Sequence, residues 1–105
     1  MKILVLNCGS SSVKYQLFEL DEALAGTFDG AEKVLAAGIV EEVGLGNPSL
    51  THRRPGHERV VRDSLPVSNH EDAIRIVVDV LVDAQLGVLH RVEDLDAVGH
   101  RVVHG

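Results

Sequence analysis

Apolar residues in this chain fall into short runs with two different periods. Ile3 to Leu6 is apolar at every position, as in a strand buried on both faces of a sheet. The run breaks at Asn7-Cys8-Gly9-Ser10-Ser11-Ser12, a string of turn-forming residues. From Val13 to Leu20 the pattern alternates. Val13, Tyr15 and Leu17 share one face, and Ser12, Lys14 and Gln16 share the other, so a second strand is expected. Asp21 to Gly30 reads as a loop or short irregular excursion. Val34 to Val43 is β-branched enough for a third strand, with Gly38 as a bulge. Leu50 to Arg62 reads as a fourth strand or as a hairpin turning at Pro55-Gly56. Its arginines (Arg53, Arg54, Arg59 and Arg62) fit a solvated turn better than a basic patch.

The period then changes. Asn69 is a helix N-cap residue with Asp72 three positions on. Ile74, Val77, Val78 and Leu81 follow at i, i+3, i+4 and i+7, one apolar helical face. Ile76, Val80 and Val82 widen it, so the helix is expected to be covered on two sides, with Gly87 as its stop. Leu95 to Gly105 ends in a strand pattern. A meander of strands, one crossover helix and a last strand predict a mixed α/β sheet with the helix on one face.

Composition narrows the function classes. The chain has 105 residues, about one small domain, and is 45% apolar, enough for a core. Aromatics are confined to Tyr15, Phe18 and Phe28, so that core is aliphatic. A net charge of -6 with so few rings argues against a nucleic-acid partner. No apolar run approaches the roughly 18 residues of a membrane span, and Ile3 to Leu6 is too short for a secretory signal. The lone Cys8 excludes an internal disulfide and fits a reducing compartment, so a cytoplasmic location is expected.

Two segments carry candidate chemistry. In the first, Asn7 to Lys14, Gly9 permits a tight turn that brings backbone N–H groups close to a ligand. If the chain is extended there, Ser10, Ser12 and Lys14 point to the same side. Hydroxyls and amides solvate phosphate oxygens, and Lys14 adds a compact positive charge. This is neither a Walker P-loop nor a dinucleotide fingerprint. On these residues alone an ordinary Gly/Ser-rich hairpin turn is the favoured reading of the run.

The second segment is Val98 to Gly105. His100 and His104 are four apart, a metal-chelating spacing on a helix. The flanking valines indicate a strand instead, where such positions lie roughly 13 Å apart. Structural histidines, or neighbours of an active site, are the favoured reading. Arg101 and Val103 share a face, so a guanidinium and an apolar contact together fit a small carboxylate. From this segment alone, a strand arginine paired with a carboxylate elsewhere is the favoured reading.

The strand–turn–strand setting of the first segment resembles the first phosphate loop of the actin, sugar-kinase and Hsp70 superfamily. Most of that superfamily has Asp where this chain has Asn7. The form Asn7-x-Gly9-Ser10-Ser11-Ser12-x-Lys14 resembles the acetate kinase branch. Gly99-His100-Arg101-Val102-Val103-His104-Gly105 resembles that branch's second signature. The resemblance runs through the whole chain, including Asn69-His70-Glu71-Asp72-Ala73 at the helix start.

The resemblance implies a fold and a function. The fold is a mixed sheet of the ribonuclease H-like, actin-like ATPase type. Residues 1–105 would be the N-terminal portion of the N-terminal domain of a two-domain kinase, with the second domain absent. The reaction is reversible transfer of the ATP γ-phosphoryl group to acetate, giving acetyl phosphate and ADP, with Mg²⁺ or Mn²⁺, in a homodimer. By matched position, Ser10, Ser12 and Lys14 would bind phosphate, and Asn7 would face the metal. Arg101 would be catalytic, contacting the carboxylate and the transferring phosphoryl group, and Val103 would line the methyl pocket. No carboxylate motif for the metal and no adenine site is recognisable. The family's other catalytic arginine, histidine and aspartate would lie beyond Gly105, so these residues alone should turn over little or not at all. The alternatives are a propionate or butyrate kinase segment, or a non-catalytic phosphate-binding module.

Overall fold

In the computed structural model, residues 1–20 and 32–102 are described. The strands are β1 (Lys2–Cys8), β2 (Val13–Leu20), β3 (Glu32–Glu41), β4 (Ser49–Arg53), β5 (Val60–Arg62) and β6 (Ala97–Val102). They form one six-stranded sheet in the order β5-β4-β3-β2-β1-β6. Every pairing from β1 to β5 is antiparallel, and β6 lies parallel to β1. A parallel return needs a crossover, here carried by the helix α1 (His70–Leu81). The mixed sheet with one helix matches the expected α/β class. The Leu50-to-Arg62 segment is the hairpin β4–β5. The expected loop at residues 21–30 lies outside the described residues.

Alternation decides which way the sheet faces. Leu4, Leu6 and Cys8 of β1 and Val13, Tyr15 and Leu17 of β2 are all buried. They form one core with Ala36, Val40, Leu50 and the α1 residues Ala73, Val77, Val80 and Leu81. Helix α1 packs over β2 and β3 on this face. Its buried stripe is offset from the expected one: Ile74 and Val78 are only half-buried. The other face, carrying Asn7, Lys14 and Gln16, has no helix on it among the described residues.

Two glycines behave differently from expectation. Gly38 is in register with both Tyr15 and His52, so it is not a bulge. The irregularity falls instead between Leu17 and Phe18, opposite Ala36 and Val34. Gly38 is required because the Tyr15 ring crosses above it to hydrogen-bond His52 Nδ1. A Cβ there would overlap the Thr51 carbonyl oxygen and the Tyr15 ring. The helix also ends at Leu81, well before Gly87. Asp83 Oδ1 accepts the Gln85 and Leu86 N–H groups at 2.8 and 3.0 Å, and Val88 and Leu89 donate back to Leu81 O, each at 3.0 Å. These bonds turn the chain out of the helix, so Gly87 belongs to the turn and not to the cap. Among the described residues no helix is long and apolar enough to cross a membrane.

Candidate active site

Because Leu6 and Cys8 point into the core, Asn7 between them points to the opposite face. Val13 and Tyr15 fix Lys14 the same way. Asn7 pairs with Lys14 across β1–β2 and with Arg101 across β1–β6. Directly paired residues share a face, so Arg101, Asn7 and Lys14 form one lateral row on three adjacent strands. Strand spacing puts the backbones of the two cations about 10 Å apart. Lys14 and Arg101 are exposed and Asn7 is half-buried. Neither cation has an ion-pair partner among the described residues. Next to Asn7 and Lys14 lies an open groove of about 610 Å³, also lined by Gln16, Ile39, Thr51 and Arg53.

Between Asn7 and Lys14 the chain reverses through Gly9-Ser10-Ser11-Ser12. The reversal is not extended, so the expected common side for Ser10, Ser12 and Lys14 does not arise from strand alternation. Gly9 N–H donates to Ser12 O at 2.9 Å, so this amide closes the turn and is not available to a ligand. Ser12 Oγ lies close over Gly9, where an added Cβ would meet it at 2.9 Å. Ser11 O accepts from Val43 N–H at 2.9 Å, and Gly9 O accepts from His70 Nε2 at 2.6 Å. The turn is therefore tied to the start of α1 and to the end of β3.

A family model described as "Acetokinase family" matches residues 2–105. The chain belongs to the acetokinase family. It is 47% identical over its whole length to an acetate kinase of Caldanaerobacter subterraneus subsp. tengcongensis, of which it covers 24%. Its fold superposes on the crystal structure of Porphyromonas gingivalis acetate kinase with a TM-score of 0.83 at 42% identity, covering 99% of this chain and 24% of that one. A propionate kinase from Francisella tularensis subsp. tularensis SCHU S4 superposes less well, at 0.68 and 31% identity, with 99% and 23% covered. This acetokinase segment thus spans about a quarter of the length of the relatives it matches.

The row brings together three of the expected site residues, Asn7, Lys14 and Arg101. Val103 and His104 lie outside the described residues. His100 faces the other way, in register with Leu6, and its Nε2 lies 3.2 Å from Cys8 Sγ. That contact agrees with a structural histidine beside the site. Burial pushes the Cys8 thiol up, so the thiol form is favoured. Among the described residues no three His, Cys, Asp or Glu side chains cluster as metal ligands. Within the row Asn7 contributes a metal-suited oxygen, and it stands between two cations. A divalent ion fits such a donor set only when phosphate oxygens and water supply the rest of its shell. The tie from His70 was not legible in the sequence. Its residues are far apart along the chain, and a histidine at a helix start is an ordinary surface residue.

Proposed function

We propose that the protein carrying this chain is an acetate kinase, transferring the γ-phosphoryl group of ATP to acetate and reversing the reaction from acetyl phosphate and ADP. The observation that carries this reading is the row Lys14–Asn7–Arg101 beside the anchored turn, within a chain of this family. Residues 1–105 are then the first part of the N-terminal domain of a two-domain, cytoplasmic, homodimeric kinase. ATP is the co-substrate.

Phosphoryl transfer asks a protein for positioning and for charge stabilisation. Lys14, with the hydroxyls of Ser10 and Ser12, holds phosphate oxygens. Arg101 holds the acetate carboxylate and faces the charge that develops on the transferring group. One acetate oxygen forms the new bond to the γ-phosphorus as the bond to the ADP oxygen breaks. Acetate is already ionised at neutral pH, so no general base is needed. Bound Mg²⁺ or Mn²⁺ would neutralise phosphate charge, and Asn7 is the described residue suited to face it. Val103 limits the space beside the substrate methyl group.

The test compares the full-length protein on acetate, propionate and butyrate with MgATP. The acetate reading expects the highest kcat/KM with acetate. A preference for propionate or butyrate overturns it in favour of a longer-chain acyl kinase. The Francisella tularensis propionate kinase makes that the alternative to exclude.

A further inference from the structure

The groove beside Lys14 is shaped by strand register. Lys14 pairs with Ile39 and Ile39 with Thr51, while Gln16 pairs with Ala37 and Ala37 with Arg53. These two rows run side by side on the open face, because the residues between them, Tyr15 and His52, are buried on the other side. In the second row the small Ala37 stands between two long side chains. The surface dips there, and the dip is part of the groove of about 610 Å³. That volume is within the range of small-molecule sites.

The charge of the groove is one-sided. Lys14 and Arg53 stand at diagonal corners, with backbones about 12 Å apart by strand spacing and rise. Both are exposed, and neither has an ion-pair partner among the described residues. Gln16 and Thr51 set an amide and a hydroxyl between them. No described carboxylate lines the groove. Glu41 shares the face but lies one row further on, opposite Ser49. Arg101, on the far side of Asn7, does not line the groove either. The chain as a whole carries a charge of -6, yet this hollow is bordered by two uncompensated cations. Such a site draws in anions that the rest of the surface repels.

We propose that this groove binds a small free polyanion of the diphosphate class between Lys14 and Arg53, and that its occupant competes with nucleotide for Lys14. The planar guanidinium of Arg53 takes two oxygens of one phosphoryl group, and the ammonium of Lys14 takes the other group. The competition rests on Lys14 holding nucleotide phosphate in the proposed kinase. The binding itself does not.

The test titrates pyrophosphate into the full-length protein by calorimetry, without Mg²⁺ or nucleotide. MgATP is titrated separately. The variants are Arg53→Gln, Arg53→Lys and Arg54→Gln. Arg54 is the control for net charge: it is tied to Gln85 O at 3.1 Å and does not line the groove. Arg53→Gln is expected to weaken pyrophosphate binding about tenfold, as for one lost charge-assisted hydrogen bond. Arg53→Lys should lose less, and Arg54→Gln should stay within about threefold of the parent. MgATP affinity should stay within about threefold in Arg53→Gln, and pyrophosphate should inhibit the parent competitively with MgATP. A parent that does not bind pyrophosphate overturns the assignment. So does equal pyrophosphate affinity in the parent and Arg53→Gln, or an equal loss in Arg54→Gln. A matching loss of MgATP affinity in Arg53→Gln also overturns it, because the groove would then be part of the nucleotide site. Pyrophosphate binding that depends on Arg53, in a parent that does not phosphorylate acetate, upholds the groove and defeats the proposed reaction. Acetate phosphorylation with no dependence of pyrophosphate binding on Arg53 does the reverse.

Discussion

Asn7 and Arg101 lie directly opposite each other on the parallel strands β1 and β6, and this pairing sets Arg101 beside the strand end that leads into the Gly9–Ser12 turn. Lys14 completes the row from the other side. The strand order, and not closeness in sequence, brings the cations together.

Replacing Arg101 by Ala in the full-length protein is expected to lower kcat by roughly a hundredfold or more, as when a transition-state charge contact is removed. Steady-state kinetics in the acetyl phosphate-forming direction checks this. Arg101→Lys should recover only part of the loss, because an ammonium cannot reproduce the two-pronged guanidinium contact. An unchanged kcat in the Ala variant removes Arg101 from the mechanism.

Val103→Ala should raise KM for acetate more than for propionate, because a larger pocket suits the longer chain. The ratio of the two kcat/KM values is the measurement. Identical responses to both acids would show that Val103 does not line the acyl pocket.

Gly38→Ala should destabilise the fold by several kcal/mol, since the new methyl has to displace the Thr51 backbone or the Tyr15 ring. Chemical denaturation would show a lower midpoint or a protein that no longer folds. Gly46, where nothing lies within 4 Å of an added Cβ, provides the comparison: Gly46→Ala should be nearly neutral. Equal effects at the two sites would contradict the role given to the Tyr15 crossing.

The buried Tyr15–His52 pair predicts a pH dependence. Burial lowers the His52 pKa from its ordinary 6.5, and Nε2 bonds the Leu86 carbonyl oxygen at 3.0 Å. The unfolded chain therefore binds a proton more readily than the folded one just below 6.5. This contribution to stability is complete above about pH 6.5 and is lost as pH falls towards the lower folded value. Asp72 acts in the same sense further into acid. Its pKa is lowered by bonds from the Ser68 backbone N–H and hydroxyl, each at 3.1 Å. Denaturation at pH 7.5 and 5.5 should show the loss. The double variant Tyr15→Phe, His52→Leu should show a smaller difference between the two pH values.

Local features were readable from the residues alone. The alternation from Val13 to Leu17 gave both faces of β2, and Asn69 marked the helix start where the structure has it. Non-local features were not. Nothing in Ala97 to Val102 says that this strand inserts beside β1, because pairing between distant strands leaves no periodic mark. Gly38 was misread because a glycine inside a strand signals a bulge or a close approach equally well. Only the position of the Tyr15 ring separates the two. Gly87 misled in a similar way: the Asp83 side chain had already turned the chain. Of the expected site, the face of Lys14 followed from alternation and Asn7 from the family resemblance, whereas the partnership with Arg101 needed the sheet order.

The most direct test of the account is acetyl phosphate formation by the full-length protein supplied with acetate and MgATP. The row Lys14–Asn7–Arg101, read as the phosphoryl-transfer site, predicts acetate-dependent turnover at roughly 1 to 1,000 per second, in the ordinary range for enzymes. A folded full-length protein that consumes no ATP in the presence of acetate would contradict it.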